Sequence, residues 1–86
     1  MNPVKKGEVV KVEGGKYWIK SPEGKTYKVP DEVYQVWASC DGKTSIEEIV
    51  MNFSGGEADE MIEKGIRRIL EGLGERGLVS LEEGED

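Results

Sequence analysis

From residue 8 to residue 29 apolar and polar residues follow a two-residue rhythm, and after Pro30 the spacing becomes helical. Residues 8–13 (EVVKVE), 16–20 (KYWIK) and 25–29 (KTYKV) read as three strands. Gly14-Gly15 marks a tight turn between the first two. Ser21-Pro22-Glu23-Gly24 suits a type I turn between the second and third. The result is a three-stranded meander. Alternation puts Val10, Val12, Tyr17, Ile19, Tyr27 and Val29 on a face that should cover the helices. Lys11, Lys16, Trp18, Lys20, Thr26 and Lys28 fall on the other face, with Trp18 standing among lysines.

Pro30 ends the third strand because it has no N–H for the ladder. Asp31 and Glu32 suit the positive end of a helix dipole, and Val33, Val36, Trp37 and Cys40 then recur at helical spacing, with Tyr34 beside them. Asp41-Gly42 breaks this helix. Ser45 with Glu48 is a capping-box signature, Thr44 with Glu47 a rival register. Ile46, Ile49, Val50 and Phe53 form the stripe of a second helix, stopped by Ser54-Gly55-Gly56. A third helix is expected from about residue 57 to residue 75, burying Ala58, Met61, Ile62, Ile66, Ile69, Leu70 and Leu73. Arg76-Gly77 stops it, and residues 78–81 form a short closing strand. The fold class expected is therefore α+β: a small three-stranded antiparallel N-terminal sheet, a three-helix winged-helix-like bundle and a closing strand.

The 86 residues allow one domain, 1–86, with an ordered core at about 8–81, a frayed polar lead-in at 1–7 and an acidic tail at 82–86. Apolar residues are 36% and charged residues 35%, no apolar run approaches the ~20 residues that span a bilayer, and no secretory signal is visible. A cytoplasmic protein with no membrane association is expected. One Cys and no His exclude a disulfide within the chain, Cys/His zinc sites, and Ser/His/Asp or Cys/His nucleophile chemistry. There is no P-loop and no GxGxxG, so no cofactor is expected, and carboxylates lie on solvated helix faces. The chain reads as a binding protein, not an enzyme. Its net charge of −6 divides unevenly: residues 1–30 carry a local +4 and residues 31–86 a local −10. One Gln and two Asn among so many charged residues lean towards a thermophilic source.

A strand ending YKVP, a helix carrying VYQVW, the turn DGKTSIEEI and a long helix ending LGERGLV together resemble the PqqD family over about residues 8–81. That family includes the recognition elements of ribosomal peptide (RiPP) maturation. The resemblance implies an adaptor that binds the leader segment of a precursor peptide and delivers it to a separate modifying enzyme, often a radical SAM enzyme. It implies that the peptide adds a strand at the third strand, here Thr26, Tyr27, Lys28 and Val29, and packs against the third helix at Met61, Lys64, Gly65, Arg68 and Gly72. A monomer or a weak homodimer is expected.

The residues themselves allow that reading and others. Gly65 and Gly72 lie on one helix face two turns apart, leaving either a shallow track for a peptide backbone or a close approach for the first helix or the sheet. Met61 and Arg68 flank the track, and Met adapts to varied apolar partners. Arg67 and Arg68 could meet acidic peptide residues, or join a network through Glu63 and Glu71. Trp18 with Lys16 and Lys20 could serve as a second surface, stacking on a base or anchoring a partner protein; the plainer reading is that Trp18 covers lysine stems or packs under the N-terminal segment. Trp37 belongs to the core. Cys40 reads as a small buried hydrophobe, a reactive thiol being the alternative. The tail could hold a divalent ion weakly or simply solubilise the terminus. The competing function is a winged-helix DNA-binding transcriptional regulator. Residues 57–76 carry six acidic and four basic side chains, and little chain remains for a basic wing, which argues against nucleic acid. A third reading, a dimeric scaffold, would want an apolar outer sheet face where the lysines stand.

Overall fold

The computed structural model describes residues 2–57 and 59–82; Ala58 and the tail residues 83–86 lie outside them. The elements run β1 (Asn2–Lys5), β2 (Glu8–Glu13), β3 (Lys16–Lys20), β4 (Thr26–Pro30), α1 (Asp31–Ala38), α2 (Ile46–Phe53), α3 (Glu60–Glu75) and β5 (Val79–Glu82). This is the expected α+β layout with one strand more. β2, β3 and β4 form an antiparallel sheet in that order, and β1 pairs with β5 in a second, two-stranded sheet. Among the described residues no helix is long and apolar enough to cross a membrane.

Paired residues share a face, so the inner face of the larger sheet carries the rows Val9–Ile19–Tyr27 and Val12–Tyr17–Val29. The outer face carries Lys11–Trp18–Lys28, flanked by Glu8–Lys20–Thr26 and Glu13–Lys16–Pro30. The two-residue rhythm misplaces Val10. A register shift between Val9 and Lys11 resets the alternation, so Val9 packs against the core and Val10 is 50% exposed. Val12 does share a face with Tyr17 but is 59% exposed, because α1 packs on β3 and β4 and leaves β2 at the far edge.

The helices start and stop where their caps dictate. The Ser45 hydroxyl accepts the Glu48 N–H while the Glu48 carboxylate accepts the Ser45 N–H, so the capping box holds in that register. Thr44 instead bonds the Asp41 carboxylate, which also accepts the N–H groups of Lys43 and Thr44. These backbone bonds hold the Asp41 carboxyl below its ordinary pKa. Asp59 caps α3 by accepting from Met61 and Ile62, which sets its start three residues later than the periodicity suggests. At the other end Leu78 donates to the Leu73 carbonyl and Gly77 to that of Gly74, a Schellman closure. Met61, placed on the buried stripe by spacing, is 82% exposed: the stripe begins with Ile62 and runs through Ile66, Leu70 and Leu73.

The lead-in expected to fray is a strand. β1 pairs with β5, and on its other side Lys5 donates to the Cys40 carbonyl, Gly42 donates to that of Pro3, and the Asn2 amide reaches the Gly42 carbonyl. Pro3 is fully buried between them. With partners on both sides, the segment needs no alternation of its own to hold its place. Trp37 completes the joint: its indole N–H donates to the Leu78 carbonyl at 2.9 Å and reaches the Lys6 carbonyl at 3.3 Å. Ile19, Val36, Ile49, Leu73 and Leu78 are fully buried in one core that unites both sheets and all three helices.

Gly7, between β1 and β2, has φ +89°, and a Cβ there would collide with the Lys20 carbonyl oxygen. Gly14 also has positive φ but faces open space. Gly7→Ala should therefore destabilise the protein by more than ~2 kcal/mol, and Gly14→Ala by ~1 kcal/mol. Urea unfolding of the two variants checks this; equal losses would mean that backbone φ alone, and not the approach of β3, fixes Gly7.

Candidate functional site

The site is built on the outer edge of β4. Ser21 donates to the Lys25 carbonyl at 2.7 Å, which makes this pair a hydrogen-bonded one. Alternation along the antiparallel ladder then turns the N–H and C=O groups of Tyr27 and Val29 towards β3. Those of Thr26 and Lys28 face away from it. No other described strand meets them, since β5 is committed to β1. The edge thus offers two donors and two acceptors at alternate residues.

A groove runs between α3 and α1, and Arg76 on its rim reaches Tyr27 of β4. The Arg76 guanidinium lies 5.9 Å from the centroid of the Tyr27 ring, and Gly77 comes near Glu23 of the β3–β4 turn. Nearer the start of α3, Gly65 and Arg68 face Val33 of α1. β4–α1 and α3 therefore run antiparallel along the groove. Its main lobe, about 270 Å³, has Val33, Ile69 and Leu73 as apolar wall, the two glycines as floor, and Arg68 and Arg76 as polar rim. A second lobe of about 200 Å³ continues from Gly65 and Ile69 towards Phe53, with Glu32 at its border.

The glycines do not serve close packing. A Cβ at Gly65 would have no neighbour within 4 Å, and one at Gly72 would meet the Arg76 side-chain tip at 3.2 Å. Each lowers helix stability by about 1 kcal/mol relative to Ala, and in return the wall stays open. Arg76 also donates to the Gly72 carbonyl at 3.3 Å, folding its side chain over the bare helix surface.

Of the residues nominated from sequence, Gly65, Arg68 and Gly72 line the groove, Tyr27 meets it only through Arg76, and Thr26 and Lys28 present the edge. Val29 does not join them, being 6% exposed and bonded inward. Met61 points to solvent off both lobes. Lys64 opens with Arg67 onto another hollow of about 460 Å³ beside Ile46 of α2, and Arg68 lines both this hollow and the groove. Arg76 and Val33 are additions: one reads as a helix stop and the other as core, and only their approach across the fold joins them to the groove.

The cations differ in their freedom. Arg67 pairs with Glu63 at 2.8 Å and with Glu47 at 3.6 Å, not with Glu71. Arg68 and Arg76 have no carboxylate partner among the described residues. On the outer face of the sheet Lys11 and Lys28 lie 4.7 and 5.8 Å from the Trp18 centroid, so the indole is shielded by its cross-strand lysines. Lys16 and Lys20 extend from the same face into solvent.

No group of three His, Cys, Asp or Glu side chains among the described residues is arranged to hold a metal ion. The Cys40 thiol is fully buried and donates to the Val36 carbonyl at 3.2 Å; burial, with a smaller push from Asp41, raises its pKa to about 12. No family model, curated protein or solved structure matches this chain.

Because the folded thiol ionises near 12 and the unfolded one near 9, folding stability should be unaffected by Cys40 below pH 9 and fall between pH 9 and 12. Urea unfolding across this range should give wild type a steeper loss than Cys40→Ala, and parallel curves would mean that the thiol is not desolvated.

Proposed function

We propose that this protein is a non-catalytic adaptor of the PqqD type, which binds an extended peptide by adding it to β4 and presents it to a separate enzyme. The observation that carries the reading is the unpaired edge of β4 beside an open groove. Main-chain bonds at Thr26 and Lys28 would contribute about 0.5–1.5 kcal/mol each and accept any sequence. Selectivity then comes from the groove wall, where Gly65 and Gly72 let side chains settle against Ile69 and Leu73. In this reading the peptide is the leader of a precursor made in the cytoplasm, and the enzyme, of the radical SAM class or another, acts on the segment beyond it.

A Cβ at Gly65 would have no neighbour within 4 Å and one at Gly72 only the tip of the Arg76 side chain, which favours a ligand track over a structural one. A DNA-reading α3 fits less well. Arg67 is tied up by two glutamates, while Arg68 and Arg76, both exposed, rim a groove against α1.

Binders selected from a displayed random peptide library, titrated into ¹⁵N-labelled protein, test the reading. Shifts should centre on Thr26, Lys28, Gly65 and Gly72. Lys28→Pro removes the outward N–H without breaking the β3 ladder, and should abolish binding in a folded protein. Gly65→Leu and Gly72→Leu should also abolish it while raising stability by up to ~1 kcal/mol through helix propensity. Undiminished binding by all three variants would rule out this site.

A further inference from the structure

Resting on that reading, we infer that the groove selects an acidic peptide: one that carries two carboxylate side chains four residues apart with an apolar residue midway between them. Arg68 and Arg76 line the same lobe, and neither has a carboxylate partner among the described residues. They stand apart from Arg67, whose charge is met within the fold. Among the described residues only Lys11 and Arg67 have carboxylate partners, so what sets Arg68 and Arg76 apart is that both rim one apolar lobe, where ligand carboxylates can meet them.

The spacing follows from geometry. The two arginines are eight residues apart on α3, about 12 Å along the axis at 1.5 Å per residue. A strand lying along β4 advances about 3.3 Å per residue, so four of its residues cover about 13 Å. Positions i and i+4 of a strand project to the same side, and so does i+2. With i and i+4 at the arginines, i+2 lies beside Ile69 and Val33, once Arg76 swings off the Gly72 carbonyl to meet the ligand carboxylate.

The same surface disfavours a polyanion. Glu32 borders the second lobe, so a phosphate chain running on past Arg68 would meet a carboxylate there. An apolar floor between the cations also has no use for a sugar–phosphate backbone. The occupant is a peptide.

The test uses a synthetic peptide of pattern Glu-x-Leu-x-Glu within a neutral extended segment, its Gln-x-Leu-x-Gln counterpart, and a version with the two Glu adjacent. The first should bind at least ~10-fold more tightly than the other two. Arg68→Gln and Arg76→Gln should each erase most of that preference, the acidic peptide falling to within about twofold of the neutral one on the same variant. Arg76→Glu should recover binding with Lys in place of the corresponding Glu, which a merely structural role for Arg76 would not produce. If peptides shift the β4-edge and groove resonances without regard to charge or spacing, the acidic rule fails and the adaptor reading stands. If no peptide of any composition shifts them, both fail. Arginine-dependent binding of a single-stranded oligonucleotide in preference to the peptide, or groove shifts that follow protein concentration alone, would name a different occupant and overturn the inference.

Discussion

The carbonyl and amide of Leu78 decide the arrangement of the whole chain. The amide closes α3 on Leu73, and the carbonyl accepts both the Lys6 N–H at 2.8 Å and the Trp37 indole N–H at 2.9 Å. A fully buried residue thus ties the end of α3, the start of the molecule and α1 together in one dry joint. Buried polar groups without partners are costly, so these bonds are strongly specified. Their consequence lies some way off. The chain leaving α3 is directed to β1, and no other described strand lies on the outer side of β4.

Charge is segregated along the same division. The basic residues 1–30 build the sheet, whose outer face sets Trp18 between Lys11 and Lys28. The acidic remainder builds the helices, and there Arg68 and Arg76 are the cations that rim the groove against α1. The inner face is held differently: Tyr17 stacks on Tyr34 at 3.8 Å with nearly parallel rings, and its hydroxyl donates to Asp31. Desolvation and that carboxylate raise the Tyr17 pKa, so the hydroxyl stays a donor through the neutral range. The contact fixes the angle at which α1 leaves β4, and with it the distance between Val33 and α3 that makes the groove.

Local signals in the sequence were sound where a local rule decides the outcome. Ser45 and Glu48 announce a cap that forms, Gly77 ends a helix that stops there, and the lysine–tryptophan face emerges as a face. What the sequence hid depends on partners distant along the chain. Val10 is displaced because of a register shift whose cause lies in the pairing of β2 with β3, not in its own pattern. β1 has four residues and a proline, and it becomes a strand only because β5 and the Cys40–Gly42 turn satisfy it on both sides. Arg76 looks like a helix terminator until Tyr27 is brought beside it. Met61 shows the converse error: spacing places it on the apolar stripe, but the helix begins only at Glu60 and the core starts with Ile62.

The measurement that bears most directly on this account is amide hydrogen exchange along β4, residue by residue, in the free protein and with a selected peptide bound. Free protein should exchange Thr26 and Lys28 rapidly while Tyr27 and Val29 stay protected by β3, and the peptide should slow Thr26 and Lys28. Protection of all four in the free protein would mean that the edge is already covered, and rapid exchange of Thr26 and Lys28 in the complex would mean that the peptide binds elsewhere.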